Sequence, residues 1–179
     1  MGGIRQEGLT KYRVVALLPG VIYGPGPMTE GNLIAGTVDR YLAGKFPGLL
    51  GSDGQRWSFS FNADIVDAHP AALEHGNAIG EYVLEGDNRS LNTFFSPLSD
   101  LSGAKHPLRL LPIVLAKIIG IVELARARLY GRAPLIAPGV AEIFRHDWVY
   151  SSAKATQDLG HRITPLEEGL RMTLEARHD

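Results

Sequence analysis

Tyr12 to Leu18 reads YRVVALL, a short apolar run without polar alternation. A strand covered on both faces carries that pattern, which predicts a buried, parallel strand. Pro19 to Pro27 follows as PGVIYGPGP. Such a density of Pro and Gly forbids a helix and predicts a tightly turned loop at the strand's carboxyl end. Between Asn32 and Leu42, the apolar residues Leu33, Ile34, Val38, Tyr41 and Leu42 recur at helical spacing, and Pro47-Gly48 closes that element. Leu49-Leu50, the turn Gly51–Gly54 and Arg56–Phe61 read as a hairpin-like stretch. Its WSFSF segment alternates aromatic and hydroxyl side chains, as a half-buried strand does.

Asp64 is suited to cap the next helix, which runs through Ile65, Val66, Ala68, Ala72 and Leu73 to His75-Gly76. Pro70 fits that helix only in its first turns. Glu81–Leu84 reads as a further short strand, and Asn92–Phe95 as a strand or an extended entry to a short helix. Leu108 to Arg128 is the most apolar region, broken by Arg109, Pro112, Lys117, Gly120 and Glu123. The breaks leave no run long enough for a transmembrane span. The stretch is read as a partly buried helix, with a hydrophobic substrate wall or a membrane-leaning surface as alternatives. Ser151–Leu159 is a short helix closed by Gly160. In Thr164-Pro165-Leu166-Glu167, Thr164 caps, Pro165 takes the first helical position and Glu167 returns a hydrogen bond to the cap. Leu166, Leu170 and Leu174 line that last helix. Ile4–Leu9 reads as the last turn of a helix, with Gly8 near its C-cap. Strands and helices alternate early and helices dominate late, the pattern of an α/β domain's end plus an α-rich cap.

Composition narrows the chemistry. At 179 residues, 45% apolar and 21% charged, the chain suits one packed domain that needs no metal or disulfide to fold. The absence of cysteine removes disulfides, zinc–thiolate sites, iron–sulfur clusters and thiol nucleophiles. With 18 Lys and Arg against 19 Asp and Glu, the charge offers no nucleic-acid footprint and no basic membrane patch. Met1–Lys11 lacks the apolar stretch of a secretory signal, so the cytoplasm is the expected compartment.

No glycine-rich phosphate loop of the GxGxxG type follows a strand. Gly24-Pro25-Gly26 cannot replace it, because prolines remove N–H donors. None of the six histidines forms HExxH, and no metal site is expected. His146-Asp147 reads as a structural pair rather than half of a proton relay. Tyr41 and Lys45 match Tyr-x-x-x-Lys, the spacing by which a lysine lowers a tyrosine's pKa, but Gly44 and Pro47 end the helix there, and the match is read as chance. Arg56, beside aromatic residues, could hold a phosphate or carboxylate in its planar fork, or could be a solvated edge residue.

Several segments together resemble one family. Leu18-Pro19-Gly20-Val21-Ile22-Tyr23-Gly24-Pro25-Gly26 is similar to a stretch of the extended short-chain dehydrogenases/reductases of the epimerase/dehydratase type. Arg56–Ser60 with Asp64–Ala68 resembles that family's R-x-x-F-x-H-V-x-D segment, with Phe61 at the histidine position and Ala63 at a polar one. Trp148–Ala155, Leu159-Gly160 and Pro165–Leu170 resemble its C-terminal end. The resemblance spans about Lys11 to Ala176 and looks closest to farnesol dehydrogenase-like and dihydroflavonol reductase-like members.

That resemblance implies the C-terminal part of a Rossmann-type α/β reductase: later parallel strands plus an α-rich substrate-binding lobe, with the glycine-rich N-terminal half absent. Residues 1–106 would hold the late strands and helices with lobe insertions, and 107–179 the mainly helical remainder. The family's catalytic Tyr-x-x-x-Lys precedes the Pro-Gly strand, so no catalytic residue is assigned. Pro19, Gly20, Val21 and Ile22 would lie beside the nicotinamide of NAD or NADP, and Asn32, Leu33 and Arg56 would face the substrate. The implied activity is NAD(P)-dependent oxidation or reduction of an alcohol or carbonyl, inactive in the isolated chain. A nucleotide-sugar epimerase or dehydratase fragment is one alternative, and a non-catalytic, partner-binding derivative is another. Weak or no dinucleotide binding by this chain alone, and self-association or a partner supplying the missing half, are the corresponding expectations.

Overall fold

The computed structural model describes residues 14–26, 33–50, 54–76, 78–112, 114, 118, 121–122 and 146–177. In chain order its elements are β1 (Val15–Pro19), β2 (Val21–Tyr23), α1 (Leu33–Leu42), β3 (Leu49–Leu50), β4 (Arg56–Phe61), α2 (Asn62–Glu74), β5 (Gly80–Leu84), β6 (Asp87–Ser90), α3 (Leu91–Ser102), β7 (Leu110–Leu111), α4 (Ala153–Leu159) and α5 (Leu166–Glu175).

β1 runs parallel to β5, with Val15 opposite Gly80 and Pro19 opposite Leu84. One residue later the chain changes neighbours. β2 lies parallel to β4, with Val21 opposite Phe59 and Tyr23 opposite Phe61. β6 closes the other side of β4 in antiparallel pairing, from Arg56 opposite Ser90 to Phe59 opposite Asp87. The alternation of β4 separates two environments. Phe59 and Phe61 enter a cluster with Tyr23, Val38, Tyr41, Phe94, Phe95 and Leu170, packed by α1, α3 and α5. Ser58 and Ser60 are equally buried but spend their hydroxyls on backbone, described below. A second cluster, including Ile65, Ala68, Ala72, Tyr82, Leu84, Ala155 and Leu159, seats α2 and α4 against β5.

The fold-class expectation is corrected here. A Rossmann-like arrangement of parallel strands is established from Val15 onward. The missing GxGxxG is a statement about one motif, whereas parallel pairing depends on backbone partners, so an absent half does not follow from it. The Ile4–Leu9 reading lies outside the described residues.

Several local expectations also change. Val21–Tyr23, read as loop, forms a strand because β4 offers it a ladder. Leu49–Leu50 pairs in parallel with Leu110–Leu111 rather than in a hairpin with β4. Leu110–Leu111 thereby leaves the helix expected from Leu108, most of which lies outside the described residues. Asn92–Phe95 belongs to α3, where Ser90 caps by accepting from the Thr93 N–H at 3.2 Å. Pro70 sits well inside α2 rather than in its first turns. β6, whose sequence is Asp-Asn-Arg-Ser, carries no apolar signal that predicts a strand.

Candidate functional site

Gly20 is where the chain leaves β5 for β4. Its N–H reaches the Ser60 Oγ at 3.1 Å and the Leu84 carbonyl at 3.4 Å. Ser60 in turn donates to Leu84 O at 2.8 Å, and Ser58 Oγ accepts from the Gly86 N–H at 3.0 Å. The backbones approach so closely that a Cβ on Gly20 would lie 2.6 Å from Ser58 O, and one on Gly86 only 1.7 Å from Phe59 O. Hydroxyls and glycines thus replace side-chain packing at the crossing. Pro19 and Ile22 are exposed there, and Val21 is half-buried. Ligands in open α/β folds sit at the carboxyl ends of parallel strands where the strand order switches. Pro19–Ile22 lie at the carboxyl end of β1, where the chain passes from its β5 neighbour to its β4 neighbour.

The loop beyond is anchored. Asn62 Nδ2 donates to Pro25 O at 2.6 Å, and Gly24, at φ +139°, leaves room for the Asn62 amide, which a Cβ would strike at 2.2 Å. Nothing in the sequence singles out Asn62, because the Pro25 carbonyl it meets lies 37 residues earlier in the chain. Asp64 does not cap α2. Its two oxygens accept from the Thr164 N–H at 2.8 Å and the Thr164 hydroxyl at 2.7 Å. Thr164 is therefore not the cap of α5; the Leu166 N–H points at Asp87 Oδ2, 3.3 Å away.

Arg56 begins β4, and its main chain is held on both sides. Its N–H donates to Asp147 Oδ1 at 2.8 Å, its carbonyl accepts from Trp148 N–H at 2.8 Å, and Trp148 O receives the Ser58 N–H at 3.0 Å. The Arg56 side chain is exposed and has no ion pair among the described residues. Asp147 thus has a structural use, as an acceptor for the Arg56 backbone. Leu33 opens α1; Asn32 lies outside the described residues.

Tyr23 is not poised as an acid–base group. Tyr23 is buried with its hydroxyl unpartnered, and burial, then Asp64, Asp87, Glu167 and Glu168, push its ionisation far above the ordinary tyrosine range. Tyr41 donates to Ala104 O at 3.1 Å inside the core. A second Tyr-x-x-x-Lys spacing, Tyr150 to Lys154, was not singled out from the sequence. Lys154 donates to Glu81 O at 3.0 Å and stands 3.6 Å over the Tyr82 ring instead.

Residues 4–84 match the model of the NAD dependent epimerase/dehydratase family. The fold is Rossmann-like and is shared with solved epimerase structures. No curated protein sequence matches the chain. A structure described as gox2253 aligns with a TM-score of 0.70 at 21% identity, covering 98% of this chain and 51% of its own. The UDP-glucose 4-epimerase of Thermotoga maritima, solved with UDP-glucose, gives 0.64 at 20% identity over 92% of this chain and 45% of its own. The UDP-glucuronic acid 4-epimerase of Bacillus cereus, with UDP-glucuronic acid and NAD, gives 0.59 at 21%, covering 90% and 44%. The chain spans about half the length of these solved relatives.

Three expectations are corrected by these matches. The resemblance is not confined to a C-terminal half, since the family match begins at residue 4 and the structures align over 90% or more of this chain. The matched proteins named by activity are sugar-nucleotide epimerases rather than farnesol dehydrogenase-like or dihydroflavonol reductase-like proteins. Gly20 of the Pro-Gly loop and Ser58 and Ser60 of the aromatic strand build a backbone crossing, which does not distinguish a prenol or flavonoid reductase from an epimerase. The expected partner supplying a missing half is withdrawn on the same coverage. Among the described residues no helix is long and apolar enough to cross a membrane.

Proposed function

We propose that this chain serves an NAD-dependent, sugar-nucleotide epimerase or dehydratase chemistry. Arg56 receives the diphosphate of the sugar nucleotide, and Pro19, Gly20, Val21 and Ile22 flank the nicotinamide end. Leu33, which opens α1, and Asn32, next to it in sequence, belong to the substrate side. The observation that carries this reading is the Arg56 guanidinium, unpaired among the described residues while its backbone is fixed by Asp147 and Trp148. A planar fork held on a rigid strand matches a diphosphate, and an alcohol or simple carbonyl has no use for it. Phe59, three positions along β4, lies opposite Val21, so guanidinium and crossing share one sheet, about 10 Å apart along the strand. NAD would accept and return the hydride that inverts a sugar carbon; the chain's own described residues bind and orient, and no proton-transfer group is assigned to them.

Titration with UDP-glucose and UDP-glucuronic acid, followed by calorimetry, tests the reading. Replacing Arg56→Gln removes a charge-assisted contact and is expected to weaken binding by about 10- to 100-fold. Sugar-nucleotide affinity unchanged by that substitution overturns the assignment.

A further inference from the structure

A second cationic site lies away from the crossing. The carboxyl end of α1, the turn that follows it and the segment entering β7 enclose a cavity of about 360 Å³. Lys45, His106 and Arg109 line it with Tyr41 and Phe46, and among the described residues no carboxylate does. None of the three basic side chains has an ion pair among the described residues.

Each is set by rigid backbone. Gly44 ends α1 in the left-handed region at φ +67°, and Lys45 N–H closes that turn onto Arg40 O at 2.7 Å. The same glycine admits the His106 ring, whose Cε1 would be 3.0 Å from a Cβ there. The ring meets Tyr41 edge-on, with centroids 5.8 Å apart. Arg109 is held because its carbonyl accepts the Leu49 N–H at 2.8 Å, and Gly48 lets the two strands meet. The three groups therefore converge without meeting each other's counter-charge. The Lys45 and Arg109 cations beside the His106 ring, around a concavity with aromatic walls, have the makeup of an anion site.

The site is distinct from Arg56. Ser90, opposite Arg56, caps the amino end of α3, whereas Ala104 and His106 follow its carboxyl end. The 12 residues of α3 separate the two ends by about 18 Å.

We propose that Lys45, His106 and Arg109 form a second binding site, for a small ligand bearing a phosphate or diphosphate whose apolar body lies on Phe46. The proposal is independent of the sugar-nucleotide reading. The test follows the His106 imidazole resonance of the labelled full chain while inorganic pyrophosphate is added at constant ionic strength. A saturable shift is expected, and Lys45→Gln with Arg109→Gln should raise its midpoint at least about tenfold. Lys45→Arg with Arg109→Lys, which conserves charge, should retain it. Both positions are exposed, so melting temperatures are expected to stay near that of the parent chain. If the double Gln variant does not fold, the single Arg109→Gln variant carries the same comparison. A His106 resonance that pyrophosphate leaves unmoved, that chloride moves equally, or whose midpoint ignores the Gln variants overturns the site. UDP-glucose binding through Arg56 should survive the double Gln variant, so failure of one assignment is separable from failure of the other.

Discussion

Tyr23 carries a hydroxyl that is buried, unpartnered and tightly enclosed: a Cβ on Gly169 would sit 2.2 Å from it. A buried polar group without a hydrogen bond costs about 1–3 kcal/mol. Tyr23→Phe keeps the ring contacts with Phe61 and Phe94 and removes that cost, so it should stabilise the fold by about 1 kcal/mol in urea denaturation. The same burial fixes a pH dependence. The folded protein holds the Tyr23 proton more tightly than the unfolded chain does. Its contribution is fully present below the ordinary tyrosine pKa of about 10 and falls as pH rises above it, by about 1.4 kcal/mol per unit. Alkaline denaturation that starts above that value and is relieved in Tyr23→Phe would bear this out; an unchanged alkaline limb in the variant would contradict it.

At the scale of elements, the last helix is joined to the sheet by carboxylates from other segments. Asp64 in α2 takes both donors of Thr164, and Asp87 in β6 faces the first N–H of α5 while pairing with Arg89 at 2.9 Å. Asp64→Ala strands two donors in a half-buried position and is expected to cost about 2 kcal/mol, read as a lower midpoint in thermal or urea unfolding. The strand crossing is a comparable joint. Gly86→Ala would put a methyl against the Phe59 carbonyl, with no flexible side chain to yield, and should cost more than the roughly 1–3 kcal/mol of ordinary overpacking. Gly20→Ala, whose nearest contact is longer at 2.6 Å, should fall nearer that range. If the two substitutions rank the other way in stability, this account of the crossing is wrong.

Across the molecule, strand neighbours are unevenly distributed. β4 is paired on both sides, by β2 and β6, whereas among the described residues β1 pairs only with β5. Hydrogen exchange should therefore be slowest at Phe59 and markedly faster through Val15–Leu17, since protection follows the local opening free energy. Cofactor affinity belongs to this scale too. Among the described residues, no glycine-rich strand-to-helix turn offers N–H groups to a pyrophosphate, the source of most dinucleotide affinity. Contacts at Pro19–Ile22 must first offset the entropy of association, so NAD should bind this chain with a dissociation constant of about 1 mM. A micromolar constant in a fluorescence titration would mean that the chain builds a pyrophosphate cradle.

Local chemistry alone was enough for the elements with a clear period. The helical spacing of Leu33–Leu42, the alternation of Trp57–Phe61 and the β-branched run entering Pro19-Gly20 each specify a conformation from neighbours in sequence. Arg56 could be singled out for its residue type and its aromatic setting. What the tertiary structure decided were the pairings. Val21–Tyr23 and the polar Asp87–Ser90 become strands only because β4 supplies backbone partners on its two edges. Thr164 turns from a helix cap into a ligand of Asp64, 100 residues earlier in the chain. The cluster of Lys45, His106 and Arg109 forms because α1 and β7 are brought together across a segment of more than 60 residues, as Tyr41 reaching Ala104 shows. A backbone N–H or a carboxylate has the same appearance in sequence whatever partner it will find. Its role is settled only when burial removes water and leaves one neighbour within hydrogen-bonding reach.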